Sequence, residues 1–304
     1  MPDHGLIDGF ERPTALPASA AEAERWQEAN RQWWESHPME YDWSGTATGA
    51  RGTPAFYERI DQAFLTAAQT FLPARERAFD QLIPYGELPT MDVLEIGIGS
   101  GTHAALIAAH ARTFTGIDLT AQAVANTQGR FTILGLDGDL RQMDAERLDF
   151  PDSTFDFVWS WGVLHHSANT PQILAEIRRV LRPGGRAVVM VYHRSFWGYF
   201  VMSGLIRGLL TGDLLRTRSL HRTVQRGTDG ALARYYSPRE WRSLAATQGL
   251  PVERLRICGD KPEMIPLPSG RIKTAILAAL PDAVSRFFLN RLRQGSFLIA
   301  SHRR

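Results

Sequence analysis

Apolar positions change their period twice along this chain. Between Ala20 and Ser36 the tryptophans Trp26, Trp33 and Trp34 sit on a helical pattern that His37-Pro38 should end. Phe56, Ile60, Phe64 and Leu65 give Pro54–Phe71 the one-sided spacing of an amphipathic helix. Ala74–Ile83 reads as a further turn or two of helix, and Pro84–Pro89 as a linker. The pattern then shortens. Met91–Ile96, Thr113–Asp118, Asp139–Met143, Phe155–Trp161 and Arg186–Tyr192 are strand-like runs. Helical patterns separate them at Ser100–Ala111, Ala121–Leu134 and Pro171–Leu181, the last broken by Pro183-Gly184-Gly185. Strands alternating with helices over short connections predict an α/β, Rossmann-like doubly wound parallel sheet.

A second change comes after Tyr192. Phe196–Leu210 is apolar and aromatic, and an arginine-rich loop follows it. Ser237-Pro238-Arg239-Glu240 has the residues of a helix start: serine at the cap, proline at the first position, glutamate at the third. That helix should run to Gln248, with Gly249 as its C-terminal cap. Val252–Cys258 and Gly295–Ser301 read as two last strands, with one or two helices in Met264–Asn290.

Composition narrows the function classes. Lys and Arg number 34 against 32 for Asp and Glu, which is too balanced for general nucleic-acid binding. The single cysteine, Cys258, excludes an internal disulfide framework and a cysteine-based metal site. No metal is implied, because no carboxylate–histidine cluster has ligand spacing. No run of 18 uncharged apolar residues exists, and the acidic, proline-bearing N-terminus has no secretory pattern. The expectation is a cytoplasmic protein without stable membrane insertion.

The sharpest chemical signal is Glu95-Ile96-Gly97-Ile98-Gly99-Ser100-Gly101, after a strand and opening a helix. A nucleotide-bearing ligand must approach the backbone there, where side chains would block it. Asp118, at the end of the next strand, can accept hydrogen bonds from both hydroxyls of a ribose. Dinucleotide sites share these features, but their third glycine would fall at Thr102. Glu95 also sets a negative charge beside the loop, which suits a cationic ligand better than a pyrophosphate.

On these residues the chain resembles class I S-adenosylmethionine-dependent methyltransferases, in particular the small-molecule bacterial branch. The match spans about 91–194: Val93–Gly101, Thr115–Leu119, Asp144-Ala145-Glu146, Phe155–His166 and Leu181–Gly185. Pro38-Met39-Glu40-Tyr41-Asp42-Trp43 is similar to a segment of that branch. The resemblance implies a seven-stranded sheet whose last strand is antiparallel, and S-adenosylmethionine as cofactor. It implies that Gly97, Gly99 and Gly101 line the methionine and ribose portion. Asp118 would hold the ribose hydroxyls and Leu119 would contact adenine. Asp144 and the Ala145 backbone would meet the adenine amino group, with Ser160 and Trp161 beside the methionine tail. The organisation then reads as an N-terminal helical lid (1–88), a cofactor-binding core (89–194), a helical cap insertion (195–235) and the remainder of the core (236–304).

Methyl transfer from a sulfonium needs a positioned acceptor and excluded water. A base is needed when the acceptor holds its proton. Candidates sit where the fourth and fifth strands end: His165 and His166, then Tyr192 and His193, with Arg194 able to fix a carboxylate. Tyr41 and Trp43 are candidate lid aromatics, and Tyr235 and Tyr236 can line the acceptor pocket. Phe196–Leu210 admits three readings: a cap over the pocket, a homodimer contact, or a membrane-surface helix. The leading function is methyl transfer to oxygen or nitrogen of a small molecule. One alternative is a cyclase that closes S-adenosylmethionine to azetidine-2-carboxylate and methylthioadenosine. Another is a non-catalytic partner subunit with the same fold.

Overall fold

Strand residues alternate between two cores, and that alternation builds the sheet. Ala187, Val189 and Val191 face one core with Leu94, Val158, Leu298 and Ala300. Val188 and Met190 face the other with Val93, Trp159 and Ile299. The computed structural model describes residues 12–39, 51–267 and 270–304. In chain order, α1 (Ala20–Ser36) and α2 (Pro54–Phe71) precede β1 (Asp92–Ile96), α3 (Thr102–Ala108), β2 (Thr113–Asp118) and α4 (Ala121–Leu134). Next come β3 (Asp139–Gln142), β4 (Phe155–Trp161), α5 (Thr170–Val180) and β5 (Leu181–Tyr192). A π-helical stretch, Phe196–Arg207, runs into α6 (Gly208–Leu210), α7 (Asp213–Thr217) and α8 (Leu220–Gln225). Then follow α9 (Pro238–Thr247), β6 (Val252–Cys258), α10 (Arg271–Ala279), α11 (Asp282–Arg286) and β7 (Phe297–Arg303).

The seven strands lie in the order β3-β2-β1-β4-β5-β7-β6. Neighbours among the first five are parallel, with Leu94 opposite Thr115 on one side and Val158 on the other. β7 runs antiparallel to both β5 and β6, so it alone is reversed. The strand order turns back between β1 and β4. In doubly wound sheets ligands bind at that switch point, at the carboxyl ends of the strands. Among the described residues, no helix is long and apolar enough to cross a membrane.

Local chemistry explains where elements start and where the sequence pattern misleads. Ser237 and Glu240 form the reciprocal capping box that opens α9. Ala74–Ile83 is not helical. The Asp80 carboxylate accepts the backbone N–H groups of Arg75, Glu76 and Arg77, which ties the segment into turns instead. β5 starts at Leu181, earlier than expected. Leu181 pairs with Phe155 and Arg186 with Phe157, so Pro183-Gly184-Gly185 lies within an irregular start to the strand rather than before it.

Candidate functional site

The bend after β1 is shaped by glycines, each for a different reason. Gly97 has φ +80°, and a Cβ there would lie 2.1 Å from the Val163 side chain. Gly99 has φ +52° and open space where a Cβ would project, so the backbone can lie against a ligand. Gly101 also has positive φ, but its Cβ would meet Thr127 and Arg130. Its requirement is the close packing of α4 on α3.

Asp118 closes the next strand beside this bend. Its Oδ2 accepts the Gly99 N–H at 3.2 Å, and its Oδ1 accepts both the N–H and the hydroxyl of Thr120. The Thr120 hydroxyl also takes the Ala123 N–H as the cap of α4. Glu95 is buried, and its Oε2 has no hydrogen-bond partner among the described residues. Burial and then the neighbouring Asp118 push the Glu95 carboxyl well above the usual range. Burial raises Asp118 too, against its hydrogen bonds to Thr120 and Gly99.

From this bend a cavity of about 590 Å³ opens. Nine of the expected site residues line it: Gly97, Gly99, Asp118, Leu119, Asp144, Ala145, Trp161, His166 and Tyr192. Trp161 stacks on Trp159 at 5.6 Å. Asp144 Oδ1 accepts from Gln27 Nε2 and from the Glu146 N–H. The N-terminal segment covers this end of the cavity: Gln27, Asn30, Trp34, Pro38 and Met39 line it, and Ser100 donates from Oγ to the Met39 carbonyl at 2.6 Å. Tyr41 and Trp43 lie outside the described residues.

Other expected residues lie off the cavity, for visible reasons. Ser160 is fully buried and its hydroxyl donates to the Ile96 carbonyl, linking β4 to β1. His193 bonds through Nδ1 to the Gly295 carbonyl and clamps the end of β5 to the approach of β7. Arg194 pairs with Glu240 at 2.6 Å. Tyr236 is buried against Trp241. Glu95 and Gly101 do not line the cavity.

The two histidines after β4 divide. His165 is fully buried, neither ring nitrogen has a hydrogen-bond partner among the described residues, and its ring centroid lies 3.8 Å from that of Tyr192. His166 lines the cavity, and its Nδ1 bonds to the Leu232 carbonyl at 2.7 Å. A carbonyl can only accept, so Nδ1 carries the proton and Nε2 keeps a lone pair. Burial lowers the His166 pKa, opposed by the nearby Asp229. Asp229 in turn accepts the Tyr192 hydroxyl at 2.8 Å.

Several lining residues carry no sequence signal of their own. His103, Asp229 and Asp260 reach the cavity only through tertiary packing, as do Phe64 and Phe71 of α2. His103 lies among Phe64, Phe79, Trp159 and Trp161, and its Nε2 has no partner among the described residues.

Residues 94–189 match the family described as methyltransferase domain. Phosphatidylethanolamine N-methyltransferase of Cereibacter sphaeroides is 37% identical over 100 residues, covering 32% of this chain and 49% of the relative. Fatty-acid O-methyltransferase of Mycolicibacterium smegmatis is 40% identical over 95 residues, covering 31% of this chain and 34% of the relative. The chain thus spans about half or less of these relatives' lengths. The crystal structure of the [4+2]-cyclase SpnF superposes over 96% of this chain and 98% of its own, with TM-score 0.50 and 15% identity, a likeness of fold.

Proposed function

We infer that this chain, whose residues 94–189 form a class I S-adenosylmethionine-dependent methyltransferase domain, transfers a methyl group to oxygen or nitrogen of a small molecule in the cytoplasm. The observation that carries the reading is the Asp118 carboxylate, held by Gly99 and Thr120 beside a glycine bend that opens into a covered cavity. The open face of Gly99 and the Asp118 carboxylate suit a ligand that carries a ribose. When bound, S-adenosylmethionine supplies an electrophilic methyl carbon.

The chain's own residues do the rest. Asp118 holds the ribose hydroxyls, and Leu119, Asp144 and Ala145 receive adenine. The acceptor lies at the other end, between Trp161, His166 and Tyr192. His166 Nε2 would take the acceptor's proton. The Tyr192–Asp229 hydrogen bond sets the wall against which the acceptor is oriented. Residues 1–88 serve as the lid and 195–235 as the cap, both keeping water out. The names of the two relatives cover a nitrogen and an oxygen acceptor, which supports keeping both for this chain.

The test is mass spectrometry of the cofactor product after incubation with S-adenosylmethionine and a panel of amines, phenols and carboxylic acids. Acceptor-dependent S-adenosylhomocysteine supports the reading. Methylthioadenosine formed without any acceptor would replace it with cyclisation.

A further inference from the structure

Two surface stretches outside the cavity present strongly exposed apolar side chains among the described residues. Phe196 is 70% exposed, Leu210 of α6 is 78% exposed and Leu215 of α7 is 72% exposed. α10 buries none of its residues, and its Ile272 is 74% exposed. Phe287, directly after α11, is 59% exposed. Among the described residues, this helix with no buried residue and an exposed isoleucine has no element packed on it of the kind that normally stabilises an amphipathic helix.

The two stretches belong to one region. Trp197 packs on Phe288 with ring centroids 5.8 Å apart, and the Trp197 N–H bonds to Gln294 Oε1. The region also borders the cavity, because Asn290 Nδ2 donates to the carbonyl of Phe71, which lines it.

Charge separates the same region from the rest of the molecule. Residues 196–226 hold five basic and one acidic residue, and 271–293 hold five and one, so together they carry +8. The remainder of the chain, with 24 basic and 30 acidic residues, carries −6. Arg216, Arg218, Arg271 and Arg291 are exposed beside the apolar side chains. Interleaved arginines and exposed aromatic and aliphatic groups complement an anionic bilayer, whose phosphates take the guanidinium groups while the apolar groups enter the headgroup–acyl boundary. A second copy of the same face would set +8 against +8.

We propose that the face formed by residues 196–226 and 271–293 docks the protein peripherally on an anionic lipid bilayer. Binding does not depend on the catalytic reading, and its test reads binding alone. The full chain is mixed with vesicles of phosphatidylcholine, with or without phosphatidylglycerol, and the bound fraction is read by co-sedimentation. The expected result is binding to the anionic vesicles only, weakened at least about tenfold by raising salt to about 1 M, where the Debye length shrinks to roughly 3 Å. The triple variant Phe196→Ser/Ile272→Ser/Phe287→Ser should lose at least about tenfold in vesicle affinity. Its S-adenosylmethionine affinity and circular dichroism should stay as in the wild type. A charge-reversed variant, Arg216→Glu/Arg271→Glu, should lose binding to the same extent or more. The proposal is overturned if the folded protein ignores anionic vesicles, or binds neutral ones equally. It is overturned as well if light scattering shows a dimer that the triple variant abolishes.

Discussion

Gln27, on the first helix, donates a 2.9 Å hydrogen bond to Asp144, 117 positions further along the chain. Its other amide atom, Oε1, accepts the Ala168 N–H. One side chain therefore fastens the N-terminal segment to both the wall after β3 and the loop after β4, on either side of the cavity. Gln27→Ala should weaken S-adenosylmethionine binding by about threefold to tenfold, the worth of a net hydrogen bond of about 1 kcal/mol with its neighbours loosened. Equilibrium dialysis measures this, and an unchanged affinity would show that α1 does not hold Asp144 in place.

Asp118 is held from behind by Gly99 and Thr120, which fixes its carboxylate for a ligand. Asp118→Ala should reduce cofactor affinity at least about tenfold, as expected for loss of a charge-assisted hydrogen bond. A folded variant with wild-type affinity would remove Asp118 from the site.

His166 should titrate below the ordinary histidine value of 6.5, because burial disfavours its charged form. Its lone pair is then available down to mildly acidic pH, and turnover should fall only as pH drops through that lowered value. His166→Gln should lower kcat by about a hundredfold to ten-thousandfold and lose this acid limb, with cofactor affinity little changed. A variant that keeps the wild-type pH profile has lost no base.

Gly97 combines a left-handed backbone with close approach to Val163. Gly97→Ala should cost about 1–3 kcal/mol of stability, part from φ and part from overlap. Pairing it with Val163→Ala should remove the overlap and leave the backbone cost, so the two changes are not additive. Denaturant unfolding of the three variants checks this; simple addition of their effects contradicts it.

His103 is buried among aromatic rings, and burial pushes it down to about 3. Between pH 6.5 and about 3 the unfolded chain binds a proton there and the folded chain does not. That histidine's contribution to stability is therefore lost as pH falls through this window. His103→Phe should flatten the dependence of unfolding free energy on pH over that range. Parallel curves for variant and wild type would show that His103 is not the group responsible.

The sheet was legible in the sequence because a period of two is a local signal: Val188 through Val191 alternate between the two cores as their spacing implies. The capping box of Ser237 and Glu240 is local as well. Ala74–Ile83 misleads because apolar spacing says nothing about Asp80 collecting three backbone N–H groups. At the site, Gly97, Gly99 and Asp118 could be read from the strand–loop–helix frame. The roles of residues at strand ends could not. His166 and His193 follow parallel strands alike, yet one lines the cavity and the other clamps β5 near β7. Asp229 and Asp260 come to the cavity from connections whose path depends on the whole fold.

The most direct measurement is calorimetric titration of the purified chain with S-adenosylmethionine and, separately, with nicotinamide adenine dinucleotide. One S-adenosylmethionine should bind per chain, with the heat lost in Asp118→Ala and none seen for the dinucleotide. Saturable binding of the dinucleotide, with no heat from S-adenosylmethionine, would contradict the assignment of the bend beside Glu95 to a sulfonium.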